Sequence, residues 1–325
     1  MIQVSWTLFP AAILCLFVQA ASAQELWFAP NDNLPRGPNR NVVLNEDFPH
    51  LFDEDAQWGA QIDVFLASPM MSGPAGPEDE LHHMAAFLQQ RQIKLAMGVD
   101  ATTMDSPKPA PDACGRGVEG SRPPGQNRAI FQRLKRLGLD ITYAAMDEPL
   151  TFGHYFQGKA GCRYSIGDTA RRAAAAIAEI KESYPNIKVV DFEAPPPTSL
   201  SQWRSDFEIW LTSYRDAAGT PLDAVMFDVN LFGNWRNTAA TGVNVARRQG
   251  LRAGILIFKP GPGRSDAEAT ADYRRAITAV DASKMSFDII EIANWTPHPF
   301  KNLPESDPMT LTYVLNEYNR THGRK

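Results

Sequence analysis

Eight short apolar segments recur along this chain, at 26–30, 61–67, 93–99, 140–146, 187–192, 224–229, 253–258 and 288–293. Most are followed by a stretch with apolar residues at helical spacing. The stretch 78–92 carries Leu81, Met84, Ala85 and Leu88, and 127–137 carries Ile130, Phe131 and Leu134 before Gly138, a helix-stop signal. Further helices are expected at 168–184, 200–218, 237–249, 265–280 and 307–320, while the first connection, 42–56, has the weakest helical pattern. Short apolar strands that alternate with helices pair in parallel, because each helix carries the chain back to the starting edge. Eight such units predict an α/β protein, a single-domain (β/α)8 barrel. A doubly wound open sheet would announce itself with a Gly-rich turn after the first strand, where this chain has Pro30-Asn-Asp-Asn-Leu-Pro35.

Residues 1–23 read as a signal peptide. An apolar run from Leu8 to Val18 precedes Ala21, Ser22 and Ala23, a small-residue cleavage site before Gln24. The run is too short for a membrane span, and the residue directly after Ala23 is Gln24, not a Cys that could take a lipid. The barrel domain, 24–325, is therefore expected to be secreted or periplasmic and to have no membrane span after cleavage. An even pair of cysteines remains in that domain, Cys114 and Cys162, and an oxidising compartment predicts a disulfide between them. The net charge of −5 and the lack of a basic stripe argue against a nucleic-acid partner. No Cys/His spacing suits a metal, so neither metal nor cofactor is expected. The Gly-x-Ser-x-Gly nucleophile elbow is also absent.

The carboxyl ends of the apolar segments are rich in acids, and in a barrel that rim is where chemistry is placed. Asp32 follows the first strand and Asp100 the third; Asp147 and Glu148 end the fourth and are stopped by Pro149. Asp191 and Glu193 come from the fifth, Asp228 and Asn230 from the sixth, Lys259 from the seventh, and Asn294 and Trp295 from the eighth. Strand residues alternate faces, so Asp191 and Glu193 share a side, as do Asp228 and Asn230. Phe192, Phe227 and Val229 suit the helix layer, and the acids are accordingly expected to face the barrel interior. Gly/Pro-rich loops at 68–77 and 106–125 should decorate the same rim.

Clustered carboxylates suit glycoside hydrolysis, in which one acid protonates the departing oxygen while another stays ionised as nucleophile or base. Mutual repulsion and burial split their proton affinities, so one cluster can supply both roles. Aromatic rings supply platforms for the C–H faces of sugars. Trp27, Tyr155, Phe156, Phe232, Trp235 and Trp295 lie at or beyond strand ends, and His154 follows Glu148 closely.

With these residues in place, the chain resembles the secreted TIM-barrel glycoside hydrolases. The resemblance rests on Met146-Asp-Glu-Pro149, Asp191-Phe-Glu193, Phe227-Asp-Val-Asn230 and Asn294-Trp295. It implies a poly- or oligosaccharide substrate and places an acid/base at Glu148, after strand four. The clan with two glutamates puts its nucleophile after strand seven, where this chain has Ile257-Phe-Lys259 and no glutamate. The expectation is thus Glu148 as proton donor, Asp228 or Glu193 as its carboxylate partner, and Asp147 holding Glu148 or substrate. Asp32, Asp100, His154, Tyr155, Asp191, Asn230, Trp235, Lys259, Asn294, Trp295 and Trp27 are candidate substrate contacts. A carbohydrate-binding barrel without catalysis is the competing reading, and a lyase or transglycosylase would use the same acids. Asn294-Trp-Thr296 matches a glycosylation acceptor, but its place at a strand end makes a structural role the better reading.

Overall fold

The computed structural model describes residues 24–32, 45–72, 76–196, 198–258 and 264–324. The expected targeting segment, 1–23, and Lys259 lie outside the described residues. Eight strands form a closed barrel: β1 (Glu25–Ala29), β2 (Val64–Ala67), β3 (Lys94–Val99), β4 (Ile141–Asp147), β5 (Lys188–Glu193), β6 (Ala224–Phe227), β7 (Arg252–Ile257) and β8 (Ile289–Ala293). Each pairs in parallel with its neighbours in chain order, and β1 closes the ring against β8, with Trp27 opposite Glu291.

Seven longer helices alternate with the strands among the described residues, besides a single helical turn at Pro69–Ser72: α1 (Glu78–Gln90), α2 (Gln126–Arg136), α3 (Ile166–Lys181), α4 (Leu200–Ala218), α5 (Trp235–Arg248), α6 (Asp266–Ser283) and α7 (Leu311–Thr321). Four begin at a hydroxyl that accepts the amide N–H three residues on: Ser165, Ser199, Ser265 and Thr310. Gly138 follows α2 with φ +77°, the left-handed conformation its position called for. The connection after β1 contains two short 3-10 turns, Pro49–Phe52 and Trp58–Gln61, in keeping with its weak helical pattern. No helix among the described residues is long and apolar enough to cross a membrane.

Two apolar layers hold the molecule together. The larger lies between strands and helices and includes Phe28, Phe65, Trp203, Phe207 and Phe227. The smaller fills the barrel: Trp27, Val64, Ala96, Tyr143, Ala145, Val190, Phe192, Met226, Leu256 and Ile289. Trp27 packs on Tyr143 with ring centres 4.9 Å apart. At the amino-terminal end the interior closes with Glu25, which pairs with Lys94 (2.8 Å) and Arg252 (2.9 Å). Burial opposes the charge on Glu25, but these two cations outweigh it and hold its carboxyl at about 2.

The opposite end is left open. Its inward positions include Ala29, Gly98 and Ala145, side chains too small to fill the mouth of an eight-stranded barrel. Gly98 is required there, since a Cβ would press on the ring of Pro69. The long loop after β3 folds over this mouth. It is pinned by a two-residue parallel ladder, Thr102–Thr103 with Ser121–Arg122, and by the Cys114–Cys162 disulfide to the loop after β4, as the cysteine pair predicts.

Candidate active site

The open end holds a cavity of about 690 Å³, lined from β1, β2, β3, β4, β5, β7 and β8 and from the loops after β1, β2, β3, β4, β6 and β8. Asp147 is the last residue of β4, on the same face as Tyr143 and Ala145, and so points inward. Glu148 follows with φ +45°, a conformation that costs an L-residue roughly 1 kcal/mol. Its amide donates to the Phe192 carbonyl of β5 (3.0 Å). This bend turns consecutive carboxylates into one cavity, where regular strand geometry would send them to opposite faces.

Asp32, Asp100 and Asp228 reach the same space from the ends of β1, β3 and β6. Two further acids escaped sequence reasoning. Glu119 descends from the loop after β3, and Glu291 stands in the middle of β8. A sequence signal existed for Glu291, a lone charge within Ile289-Ile-Glu-Ile-Ala293. Glu119 sits in an aperiodic Gly/Pro-rich loop and has no such signal. Gly120 beside it has φ +66°, and a Cβ there would collide with the Asp147 carbonyl. Glycine thus lets the loop lie directly on the end of β4.

Burial, reinforced by crowding, raises the proton affinity of Asp100, Glu119, Asp147, Glu148, Asp228 and Glu291. Burial, then the charges of Asp228 and Asp147, push the Glu148 carboxyl up to about 9. Burial, then Glu119, lifts Asp228 to about 7. Burial, then Asp228, lifts Glu291 to about 8. Asp147 is held well above the usual carboxylate range by burial and by Glu119, Asp100 and Asp228. Asp100 is raised by burial, although its ion pair with Arg122 opposes the shift. Among the described residues no group of three or more His, Cys, Asp or Glu is arranged to hold a metal.

Two aromatic rings complete the wall. Phe192 lines the cavity from β5, and Trp295, 54% exposed, stacks on Phe258 with ring centres 4.9 Å apart. Asn294 lines the cavity too, but its side chain is occupied: it donates to the Pro299 carbonyl and accepts from Thr296. These bonds hold the acceptor-like triplet together and occupy the side chain of Asn294, also a candidate substrate contact.

The inward face of β5 differs from the expectation. Phe192, not the acids, faces the interior. Asp191 and Glu193 lie between the barrel and its helices, where each satisfies a particular donor. Asp191 accepts from the indole of Trp210 in α4 (2.7 Å). Glu193, 1% exposed, accepts from the amides of Leu150 (2.7 Å) and Thr151 (3.2 Å) and from the Thr151 hydroxyl (3.1 Å). It thereby caps a single π-helical turn, Thr151–Tyr155. The error came from reading Phe as a helix-layer residue, when small neighbours leave room for its ring inside.

Several other candidates also sit away from the cavity. Trp27 is in the barrel core below it. Trp235 begins α5 and packs under the helices. Tyr155 donates to Asp206, and the His154 ring contacts the Tyr164 carbonyl (2.6 Å). Asn230 is exposed in the turn after β6, where it accepts from the Phe232 amide. Aromatic and polar residues just beyond a strand end can turn outward within one or two positions, and spacing alone does not register that turn.

No protein-family model matches the chain, and no curated protein matches it. Its fold is similar to that of a glucosidase from Croceicoccus marinus, with 14% identity and a TM-score of 0.54 over 92% of this chain and 68% of that one. A psychrophilic glycoside hydrolase family 10 endo-β-1,4-xylanase aligns with 12% identity and a TM-score of 0.49, covering 84% and 87% of the two chains. Fungal β-1,4-galactanases align with 12% identity and a TM-score of 0.46, covering 82% and 83%. At these identities the likeness is one of fold, and at that level the expected resemblance to TIM-barrel glycoside hydrolases holds.

Proposed function

We propose that the protein is a glycoside hydrolase acting on a poly- or oligosaccharide, exported by the segment 1–23 to the periplasm or beyond the cell. The observation that carries this reading is the pairing of Glu148 and Asp228 across one cavity with different proton affinities, about 9 and about 7. Between those values Glu148 keeps its proton while Asp228 is ionised, the division of labour that glycosidic cleavage needs. Glu148 gives its proton to the departing oxygen. The Asp228 carboxylate serves the anomeric carbon, as nucleophile or as base for the incoming water. Asp147 lies inward beside Glu148, and the two carboxyls oppose each other's ionisation. Phe192 and Trp295 offer the apolar faces on which sugar rings pack. That the chain shares its fold with a glucosidase is in keeping with this chemistry.

The test is reducing-end release by the purified protein on a panel of polysaccharides, with Glu148→Gln in parallel. Turnover lost by about 10²–10⁴-fold in the variant, the usual worth of a general acid, supports the assignment. Turnover unchanged in the variant removes Glu148 as the donor. Saccharide binding with no turnover on any substrate favours the carbohydrate-binding barrel.

A further inference from the structure

Glu291 poses a problem that hydrolysis by Glu148 and Asp228 does not solve. It is 0% exposed, lines the floor of the cavity, and neither of its carboxylate oxygens has a hydrogen-bond partner among the described residues. Its register neighbours in the barrel are Trp27 and Leu256, which offer it no compensating charge. A buried carboxyl with both oxygens unpaired is destabilising, and an apolar or amide side chain of similar size would suit the core better. The missing partner therefore belongs to whatever occupies the cavity.

The charge of the wall says what kind of partner. Among the described residues the cavity is lined by seven carboxyl groups and a single cationic side chain, Arg122. Arg122 is already paired with Asp100. No described cation is left to offset Glu291, Asp228, Glu148 or Asp147. A neutral sugar hydroxyl could hydrogen-bond these groups in their protonated forms but would leave the cost of ionising them in place. A cation relieves it, and in a site shielded from water the attraction is far stronger than in bulk solvent. Phe192 and Trp295 on the same wall argue for a ring-bearing ligand and against a bare polyamine.

We infer that the cavity accepts a saccharide bearing an unacylated amine, with the ammonium group seated at Glu291 on the cavity floor. The inference rests on the saccharide reading above and names its substrate class. The amine carries its charge in at neutral pH, and Glu291 gives up its proton to meet it.

Calorimetric titration with matched pairs tests this: glucosamine against glucose, galactosamine against galactose, with ethanolamine as a control lacking a sugar ring. At least one amino sugar is expected to bind about tenfold or more tightly than its neutral parent, a factor equal to 1.4 kcal/mol. Repeating the titration at pH 6.5 in buffers of different ionisation enthalpy should show release of about one proton per amino sugar bound and none for the parent. Glu291→Gln keeps the shape and hydrogen-bonding capacity but not the charge, so it should abolish the proton release and bring the amino sugar to the affinity of its neutral parent in the same variant. Amines that bind no better than their parents, or not at all, overturn the inference. So does a preference that survives in Glu291→Gln, or ethanolamine binding as tightly as the amino sugars. Hydrolysis of neutral polysaccharides without amine preference would leave the glycosidase standing and remove this inference. Amine-selective binding without turnover would do the reverse.

Discussion

Glu148 and Glu193 are both glutamates at strand ends, and only their surroundings separate them. Glu148 lines the cavity, with its proton held by burial and by Asp228 and Asp147. Glu193 faces away from it and accepts from Leu150 and Thr151, so its work is to hold the turn that follows Glu148. Glu193→Ala leaves those donors without an acceptor and is expected to destabilise the fold by about 1–3 kcal/mol, measured by denaturant unfolding. Its activity, assayed well below the midpoint of unfolding, should stay within about tenfold of the parent; the 10²–10⁴-fold loss of a general acid would return Glu193 to the chemistry. Glu148 and its neighbours show why residue type alone could not make this distinction. Two acids one strand apart in sequence look alike until the side on which each strand presents them is known.

At the scale of elements, the strands and helices were legible because periodicity and termination signals are local. The helix 200–218 was read with the bounds it has, and each strand was found to within three residues at either end. Strand faces were legible on β6, where Phe227 packs against the helices and Asp228 lines the cavity. They were misread on β5, where a bulky apolar residue suits both sides of a barrel wall. The loop after β3 is the element that sequence describes least and the site depends on most, since it carries Glu119 and Arg122. Its disulfide to the β4 loop spans a separation of 48 residues, and in the chain-entropy model such a closure stabilises by roughly 4 kcal/mol. Replacing Cys114 and Cys162 together by serine is expected to lower stability toward denaturant by up to that amount. It should also raise KM more than it lowers kcat, because the loop lines the cavity while Glu148 and Asp228 stay at the ends of their strands. A kcat loss as large as that of Glu148→Gln would show that the loop supplies the chemistry.

Over the whole molecule, the carboxyl cluster sets the response to pH. Glu148, Asp228 and Glu291 have folded-state values of about 9, about 7 and about 8, all above the 3.8–4.5 of exposed carboxyls. Their neutral forms suit the fold, so their contribution to stability is fully present below about pH 4 and is lost as pH rises through 7 to 9. Glu25 acts in the opposite sense: its carboxyl sits at about 2, so the stability of its ion pairs is lost as pH falls from about 4.5 through 2. The melting temperature is thus expected to peak near pH 4–5 and to decline toward pH 9, with Glu291→Gln flattening the decline. Activity should follow a different curve. It rises as Asp228 ionises near pH 7 and falls as Glu148 loses its proton near pH 9, giving a bell between them. A melting temperature that climbs steadily from pH 5 to pH 9 would contradict this account of the cluster.

The amino-acid sequence by itself determined the eight-fold alternation of strand and helix, the pairing of Cys114 with Cys162, and the presence of acids where a barrel opens. Each follows from patterns that act over neighbouring residues or from simple counting. Only the tertiary structure decided which acids share a cavity. That choice depends on the left-handed bend at Glu148, on Gly120 lying against the end of β4, and on small side chains at Ala29, Gly98 and Ala145 that leave the mouth unfilled. It brought Glu291 and Glu119 in and turned Asp191 and Glu193 out. The direction of a side chain at a strand end is set by packing between distant segments, and no local spacing carries that information.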